Sequence, residues 1–320
     1  MSRRVLATGG FGYIGGRVAV ELARDTSYTV RLGSRKKRPA PVWLPDAETV
    51  DMDVLEPSSL STAMRDVQAV VHLAAMNENE CVADPSKAVL VNTLGTLNVL
   101  QAAINTGVER FIYFSTAHVY GAPLVGHITE ETLPRPIHPY AVTHHAAEDF
   151  VLAAHDQKKI TGIIVRLSNG FGAPTHPDVD RWTLLVNDLC RQAVTSGKLE
   201  LRSSGLQRRD FITLEDVTRT VDHLLKLPVS LCNDGLFNLG GECSLQIIEF
   251  TEKIASRCKA VLNFSPPIIR PEPAINEVSI GLNYCIDKLK ATGFSLTGDI
   301  DAEIDATLSL CLAAYGGAVR

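Results

Sequence analysis

The chain has 320 residues, of which 45% are hydrophobic and 21% charged, and its formal net charge at pH 7 is −5. This length and balance are typical of a globular protein that buries a large core without metals or disulfides. The negative net charge argues against a field that attracts nucleic acid or anionic membranes, so we expect no nucleic acid and no membrane as partners.

The seven cysteines are scattered, and none forms a Cys-x-x-Cys pair. That pattern argues against a zinc site or a disulfide framework. The basic N-terminus is followed by a short strand-like run rather than by an apolar signal core, and no apolar run looks long enough to span a bilayer. We therefore expect a cytoplasmic protein without a metal site.

Short apolar runs alternate with amphipathic stretches through the first half of the chain. The pattern predicts strands over 5–8, 28–32, 69–74, 111–114 and 161–167 and helices over 13–23, 87–103 and 140–154. Strands that alternate with helices indicate crossover units, so we expect an α/β fold with a Rossmann-like, doubly wound parallel sheet. Near-continuous apolar strands favour a sheet that is covered on both faces.

Prolines and glycines become more frequent beyond residue 169. Helices are still predicted there, over 182–194, 214–227 and 245–257. We expect a dinucleotide-binding domain over 1–168, to which 211–240 returns. A smaller, mixed α/β substrate-binding portion is then expected over 169–210 and 241–320.

A glycine-rich turn joins the first predicted strand to the first predicted helix. Gly9, Gly12 and Gly15 stand there in the spacing G-x-x-G-x-x-G. One glycine permits a tight turn, another lets the backbone approach a pyrophosphate, and a third lets helix and strand pack closely. The start of the helix adds free N–H groups and a positive dipole. The strand before and the helix after therefore predict a dinucleotide-binding turn.

The segment 8–15, Thr-Gly-Gly-Phe-Gly-Tyr-Ile-Gly, resembles the signature T-G-G-x-G-[FY]-[IV]-G of the extended short-chain dehydrogenases/reductases at every position. Further segments resemble that family in order and spacing: His-Leu-Ala-Ala at 72–75, Val-Asn-Thr-Leu-Gly-Thr at 91–96, Ser-Thr-Ala-His-Val-Tyr-Gly at 115–121 and Pro-Tyr-Ala-Val-Thr-His at 139–144. The chain is identified as a member of this family, of the NAD-dependent epimerase/dehydratase type that modifies nucleotide sugars.

The resemblance implies a set of cofactor contacts along these segments. In the family, an acid and the residue next to it contact the adenine, and here Asp53 and Val54 resemble them. The implied set is Gly9, Phe11, Gly12, Tyr13, Ile14, Gly15, Ser34, Arg35, Asp53, Val54, Leu73, Ala74, Ala75, Asn92, Ser115, Tyr140 and His144.

The resemblance also implies a catalytic pair of hydroxyls. Tyr140 would exchange a proton with the substrate oxygen while hydride moves to or from nicotinamide, and Thr116 would hydrogen-bond the same oxygen. The family has a lysine four residues after the tyrosine, where this chain has His144. A neutral imidazole on the same helix face can keep the lysine's bond to the nicotinamide ribose but loses most of its charge effect on the tyrosine pKa. We expect retained activity; a changed mechanism or a binding-only protein is the alternative.

The second predicted strand ends in Gly33-Ser34-Arg35, without the carboxylate that NAD-preferring members of the family carry there. Ser34 and Arg35 could bind a 2′-phosphate, and residues 36–38 add positive potential. A solvated loop is the alternative reading of this charge run. We expect NADP as the cofactor, with NAD as the alternative.

Asn169 and Arg209 stand where nucleotide-sugar enzymes of the family hold the substrate diphosphate or sugar, in segments that resemble R-x-x-N and G-x-Q-x-R-D-[FY]. A guanidinium suits this task because its fork matches phosphate oxygens. His118 is a candidate acid beside the sugar, or else a packing histidine. The implied substrate is a nucleotide-diphosphate sugar, and the implied assembly is a homodimer through helices 87–103 and 140–154.

The residues after Thr116 bear on the type of reaction. Dehydratases of the family have Asp-Glu there and decarboxylases a glutamate in the second position, whereas this chain has Ala117-His118. We therefore expect an NADPH-dependent reductase of a keto-sugar nucleotide, ahead of an NAD-dependent 4-epimerase. A reductase of a non-sugar carbonyl and a dinucleotide-binding sensor without turnover are further alternatives.

Overall fold

The computed structural model describes residues 2–316 and alternates strands with helices along the chain. The strands are β1 (Arg3–Thr8), β2 (Tyr28–Ser34), β3 (Glu48–Asp51), β4 (Ala69–His72), β5 (Arg110–Thr116), β6 (Gly126–Ile128), β7 (Thr161–Leu167), β8 (Asn169–Phe171), β9 (Leu199–Glu200), β10 (Arg208–Thr213), β11 (Leu236–Leu239), β12 (Ser244–Gln246), β13 (Ile268–Ile269) and β14 (Leu282–Tyr284). The α-helices are α1 (Tyr13–Ala23), α2 (Pro57–Ala63), α3 (Glu78–Ala83), α4 (Pro85–Ala88), α5 (Gly95–Asn105), α6 (Pro139–Asp156), α7 (Leu185–Ser196), α8 (Leu214–Lys226), α9 (Ile247–Leu262), α10 (Asp287–Lys290) and α11 (Ile300–Tyr315).

Seven strands form the central sheet in the order β11-β7-β5-β4-β1-β2-β3. Every neighbouring pair in it is parallel. The order reverses between β1 and β4, and ligands of open α/β sheets bind at the carboxyl ends of the strands at such a switch point. The predicted Rossmann-like, doubly wound fold is confirmed.

Apolar layers cover both faces of this sheet. On one face α1 and α8 pack against the strands through side chains such as Leu22 and Leu224, both of which are buried. On the other face α5 and α6 do the same through side chains such as Val99 and Val151. Full burial of one such side chain contributes about 1.5–3 kcal/mol, so the two layers hold the strand ends rigidly in place.

The remainder of the chain builds three small sheets and a third core. The sheets have the orders β12-β10-β8, β13-β9 and β14-β6, and the core lies among α7, α9 and α11. Phe171, Phe211 and Phe250 contact one another at its centre. The chain returns to the large sheet through α8 and through β11, which pairs with β7. Arg17 of α1 and Glu303 of α11 form a 2.5 Å ion pair that joins the two portions.

One helical run, Pro85–Asn105, is longer than the sequence pattern indicates. It joins α4, a π-helical turn over Val89–Leu94, and α5. Because the pieces are continuous, the run is long and apolar enough by composition to cross a membrane, and the expectation that no run is long enough is wrong. Asn92 and Thr93 donate hydrogen bonds to Thr143 on α6. A core helix has the same length and composition, so the run alone is weak evidence for a membrane span.

Candidate active site

The glycine turn lies between β1 and α1, at the switch point of the sheet. Gly9 has φ +68°, and a Cβ there would lie 3.0 Å from the backbone of Leu73 and Ala74. A Cβ on Gly15 would lie 2.2 Å from the carbonyl oxygen of Gly9. No side chain caps α1 at Gly12, so N–H groups of the first helical turn face outward without a capping partner. The turn thus fits a pyrophosphate that approaches the backbone closely.

A buried chain of hydrogen bonds ties the end of β4 to this turn. Thr8 Oγ1 accepts the N–H groups of Leu73 (3.1 Å) and Ala74 (3.2 Å) and lies 2.6 Å from His72 Nδ1. Burial lowers the pKa of His72 to about 3, so the ring is neutral. Thr96 Oγ1, 3.0 Å from His72 Nε2, donates to the Asn92 carbonyl, so it accepts the His72 proton from Nε2. Thr8 then donates to Nδ1. These bonds end β4 at His72, two residues earlier than the sequence pattern predicts.

Positive side chains gather where β2 ends. Ser34 Oγ accepts the N–H of Lys36 at 3.3 Å, and the side chain of Arg35 is exposed. The guanidinium of Arg38 lies over the ring of Phe11, 4.8 Å from its centroid. Because Phe11 belongs to the glycine turn, this stacking draws Arg38 to the same edge as Ser34. A hydroxyl and two guanidinium groups at one edge suit a phosphate monoester.

Asp53 and Val54 follow β3 at the carboxyl edge of the sheet. Asp53 Oδ1 accepts the N–H of Leu55 at 2.9 Å, and the Val54 carbonyl accepts the side-chain amide of Asn98 at 2.9 Å. Val54 is buried against Gly95. These contacts fix both residues, and their expected role at the adenine stays a prediction.

Two residues that the sequence assigns to the cofactor use their side chains elsewhere. Asn92 is fully buried; its Oδ1 accepts the N–H of Met76 at 2.8 Å and its Nδ2 donates to Thr143 Oγ1 at 3.1 Å. The Tyr13 hydroxyl donates to the carbonyl of Gly172 at 2.8 Å. The Asn92 amide thus helps to fix α6, and its expected contact with the dinucleotide stays a prediction. The part of Tyr13 that lies at the glycine turn is its backbone, because its side chain is bonded to Gly172.

The two expected catalytic hydroxyls lie on neighbouring elements that pack together, β5 and α6. Thr116 is the last residue of β5, and Tyr140 is the second residue of α6. Thr116 Oγ1 accepts the N–H of His118 at 3.2 Å. His138 caps α6, and its Nδ1 accepts the N–H of Tyr140 at 3.3 Å. Within residues 2–316 the Tyr140 hydroxyl makes no hydrogen bond, so it is available to a ligand.

His144 lies one helical turn after Tyr140, and the two ring centroids are 4.4 Å apart. Its side chain is buried, with Nδ1 2.7 Å from the hydroxyl of Tyr113 on β5. Its Nε2 is buried and has no hydrogen-bond partner in the described part of the chain. Burial lowers the pKa of His144 to about 4, so the ring is neutral at pH 7. His144 therefore places an uncharged hydrogen-bonding group where the family has a lysine.

The environment of Tyr140 keeps its phenol protonated. Burial, aided by the negative charge of Glu78 and opposed by Arg181, raises the pKa of Tyr140 to about 12. At pH 7 roughly one molecule in 10⁵ then carries the phenolate. Because His144 is neutral, it does not lower this pKa as an ammonium group would. Tyr140 is thus poised to donate a proton rather than to accept one.

A carboxylate that the sequence pattern does not reveal reaches the site from α3. Glu78 Oε1 lies 3.5 Å from His118 Nε2. Burial lowers the pKa of His118, and Glu78 opposes that shift. The sequence lacks a carboxylate directly after Thr116, and the packing of α3 against α6 brings one in from a distant segment. The local sequence gives one signal for it, the capping pattern Asn77-x-x-Glu80 that starts α3 at Glu78.

Asn169 and Arg209 lie at the side of the cleft that the small sheets form. Asn169 Nδ2 donates to the carbonyl of Asp210 at 2.9 Å, which joins β8 to β10. The Arg209 guanidinium is half-buried and makes neither an ion pair nor a hydrogen bond with residues 2–316, and burial lowers its pKa. Its neighbour Arg208 is paired with Glu249 at 3.6 Å. An unpaired, half-buried guanidinium is a ready partner for an anion.

Residues 5–240 match the model of the NAD dependent epimerase/dehydratase family. The chain belongs to this family. The extended short-chain dehydrogenase/reductase type expected from the glycine signature is confirmed, and the protein is an enzyme of that type.

Curated relatives cover most of the chain. It is 27% identical over 262 residues to the low-salt glycan biosynthesis protein Agl12 of Haloferax volcanii, covering 78% of this chain and 81% of that protein. It is 28% identical over 268 residues to the UDP-glucose 4-epimerase of Lactobacillus helveticus, with coverages of 78% and 81%. A third relative, 27% identical over 271 residues, is the dTDP-D-glucose 4,6-dehydratase of Mus musculus, covering 81% of this chain and 74% of that protein. The names thus include an epimerase and a dehydratase, so they support the family without fixing one reaction.

Solved structures share the fold over nearly the full length. RMD from Pseudomonas aeruginosa, complexed with NADPH, has a TM-score of 0.78 at 25% identity, covering 98% of this chain and 100% of that one. The UDP-glucuronic acid 4-epimerase of Bacillus cereus, in complex with UDP-glucuronic acid and NAD, has a TM-score of 0.79 at 23% identity with the same coverages. The second likeness shows the fold alone.

A nicotinamide dinucleotide, as the family's name implies, fits the groove of this chain. The absence of a Cβ at Gly15 lets the start of α1 pack closely on the turn, as the dinucleotide-binding turn requires. Two buried polar atoms along the groove, Ser115 Oγ and His144 Nε2, have no partner among the described residues. Buried polar groups are normally satisfied, so both atoms await an acceptor or donor from outside the chain.

Proposed function

We propose that this enzyme is an NADPH-dependent reductase of a keto-sugar nucleotide. The observation that supports the direction of the reaction is the state of Tyr140, which keeps its proton beside a neutral, buried His144. Reduction of a carbonyl needs a proton donor, whereas oxidation of an alcohol needs a base. A site that keeps its tyrosine protonated supplies the donor that reduction requires.

In this mechanism the chain positions one carbonyl oxygen and delivers one proton to it. The bound dinucleotide supplies the hydride. Thr116 donates a hydrogen bond to the carbonyl oxygen and fixes it, and Tyr140 donates its proton to the same atom as the alcohol forms. His144 holds the nicotinamide ribose through Nε2. Glu78 and His118 offer an acceptor and a second polar group to the hydroxyls of the sugar.

The preference for NADPH rests on the end of β2. Ser34, Arg35 and Arg38 form an edge that suits the 2′-phosphate, and guanidinium groups bind phosphates through charge-assisted bonds. A protein that shares the fold at 25% identity is complexed with NADPH.

The substrate class rests on the other side of the cleft. Arg209 is an unpaired guanidinium that can grip the diphosphate, and Asn169 lies beside it at the join of β8 and β10. The epimerase of Lactobacillus helveticus acts on UDP-glucose by its name, which agrees with a nucleotide-diphosphate sugar.

A homodimer is part of this proposal. Apolar side chains are exposed along the run 85–105 and on α6, namely Val89, Leu90, Leu94, Val142 and Phe150. A second copy of the chain would remove them from water through a four-helix contact. Sedimentation should give a dimer for the wild type and a monomer for Phe150→Glu.

A test of the proposed reaction starts from the nucleotide that the purified protein carries. The protein is denatured, and any released nucleotide is identified by mass spectrometry. NADP(H), or an empty site that binds NADPH better than NADH, supports the proposal. NADPH oxidation is then measured with UDP-, GDP- and dTDP-linked 4-keto-6-deoxyhexoses, and no turnover of any of them contradicts it.

An NAD-dependent 4-epimerase is the second candidate, and one observation favours it. Asp51 on β3 is the register partner of Ser34 and brings a carboxylate to the edge where β2 ends. A carboxylate there can accept the ribose 2′-hydroxyl of NAD. Release of stoichiometric NAD in the same experiment favours this candidate over the reductase.

A further inference from the structure

Tyr113, on β5, occupies the space between two histidine rings beneath the cofactor groove. Its ring lies 5.7 Å from that of His72 and 5.7 Å from that of His144, with interplanar angles of 27° and 19°. All three side chains are buried. The Tyr113 hydroxyl is 2.7 Å from His144 Nδ1.

The direction of that hydrogen bond follows from the neighbouring groups. Burial raises the pKa of Tyr113 well above its ordinary value, so the phenol carries its proton. The other hydroxyl nearby, on Thr96, donates to the carbonyl of Asn92 and accepts from His72 Nε2. Among the described residues, His144 Nδ1 is the acceptor within hydrogen-bond distance of the Tyr113 hydroxyl, so the Tyr113 proton goes to it. A neutral imidazole whose Nδ1 accepts carries its own proton on Nε2.

The tautomer of His144 matters because this histidine stands where the family has a lysine. A lysine ammonium has three donors and needs no partner to present one of them. A neutral histidine has one N–H, and its other ring nitrogen decides where that N–H is. His144 Nε2 is buried without a partner in the described chain, so an N–H there can be satisfied by a ligand hydroxyl.

We propose that Tyr113 is a positioning residue that fixes His144 with its proton on Nε2, so that a neutral histidine makes the ribose hydrogen bond of the family lysine. This inference deepens the proposed function. It rests on one part of it, the binding of a nicotinamide dinucleotide in the groove, and not on the reaction. Without the Tyr113 hydroxyl, His144 would divide between two tautomers, one of which turns a lone pair toward the ribose.

Histidine ¹⁵N NMR on the cofactor-free protein tests the tautomer directly. The signals of His144 are assigned by their loss in His144→Asn. In the wild type we expect an acceptor-type Nδ1 and a protonated Nε2. In Tyr113→Phe we expect the two ring nitrogens to move toward each other, as a mixture of tautomers requires. Tyr28→Phe is the matched control, because it removes another buried phenol at the opposite end of the sheet and should leave His144 unchanged.

Cofactor affinity tests whether the tautomer serves binding. Tyr113→Phe should weaken NADPH binding about tenfold, the effect of one hydrogen bond. In a His144→Lys background the same change should alter affinity less than about twofold, because the ammonium needs no tautomeric partner. A purely structural role for Tyr113 would lower affinity equally in both backgrounds, and that result overturns the proposal.

The outcomes separate this inference from the proposed reaction. A wild-type His144 that carries its proton on Nδ1 overturns the inference without the Tyr113→Phe variant, so the test survives a Tyr113→Phe protein that fails to fold. The expected tautomer together with the expected affinity cycle supports it, whatever the direction of hydride transfer. Failure of keto-sugar reduction in the presence of that tautomer contradicts the proposed function alone.

Discussion

The two ends of the cofactor groove differ in how their contacts are built. The proposed phosphate end is built of closely packed backbone, where a Cβ on Gly15 would lie 2.2 Å from the Gly9 carbonyl oxygen. At the nicotinamide end the contacts come from side chains, and His144 replaces the family lysine with Tyr113 as its partner. A backbone site tolerates no larger residue, whereas a side-chain donor can be replaced if its surroundings orient the replacement. What the replacement loses is the positive charge beside Tyr140.

The largest loss of turnover is expected when the proton donor at the nicotinamide end, Tyr140, is replaced. Tyr140→Phe removes the acid while keeping the ring, so turnover should fall by about 10²–10⁴-fold. Binding of NADPH should change little, because the hydroxyl serves the substrate oxygen. Stopped-flow NADPH oxidation measures the first quantity and fluorescence titration the second; near-normal turnover would refute the role of Tyr140.

Breaking the phosphate end tests the opposite half of the comparison. Gly15→Ala forces a Cβ against the Gly9 carbonyl, and such overpacking costs about 1–3 kcal/mol of folding stability. Because that carbonyl belongs to the proposed pyrophosphate turn, we expect the displaced turn to weaken NADPH binding as well. Gly281→Ala is the matched control, since a Cβ there has open space around it. Calorimetry with each variant gives the affinities. Equal affinities in the two variants would mean that the turn does not meet the dinucleotide.

The sequence predicts the local features of the groove better than the contacts between distant segments. The bounds of α1 and β7 match the pattern-based prediction residue for residue, because glycine spacing and apolar runs are local signals. The short polar strand β3, Glu-Thr-Val-Asp, was not predicted, since its edge position needs no apolar pattern. Glu78 and Tyr113 were missed because their contacts join segments far apart in the chain. Asn92 was placed correctly in its motif, but the burial of its amide depends on α6.

Two adjacent arginines on the substrate side of the cleft, Arg209 and Arg208, should respond differently to substitution. Arg209→Ala should raise KM for a nucleotide sugar by roughly 10- to 100-fold, since a hydrogen bond to a charged group contributes about 1.5–3 kcal/mol. Arg208→Ala should leave KM nearly unchanged, because that guanidinium is paired with Glu249. Steady-state kinetics on both variants decide the point. An unchanged KM in Arg209→Ala would favour a non-sugar carbonyl substrate.

A smaller effect is expected at the adenosine end, where charge selects between two cofactors. Arg35→Ala and Arg38→Ala should each weaken NADPH binding about tenfold, as loss of one charge-assisted bond to the 2′-phosphate implies, and leave NADH binding unchanged. Lys37→Ala removes an equal charge from the same loop and serves as the control. If NADH weakens as much as NADPH in these variants, the guanidinium groups do not contact a 2′-phosphate.

The central claim is that burial keeps Tyr140 protonated and that its helical neighbour, a neutral histidine, supplies no positive charge to lower the pKa. A near-ultraviolet pH titration of tyrosinate, taken as the difference between wild type and Tyr140→Phe, measures that pKa directly. The account predicts no ionisation of Tyr140 below about pH 10, and a lower pKa once His144→Lys places an ammonium beside it. A wild-type Tyr140 that ionises near pH 7 would contradict the account.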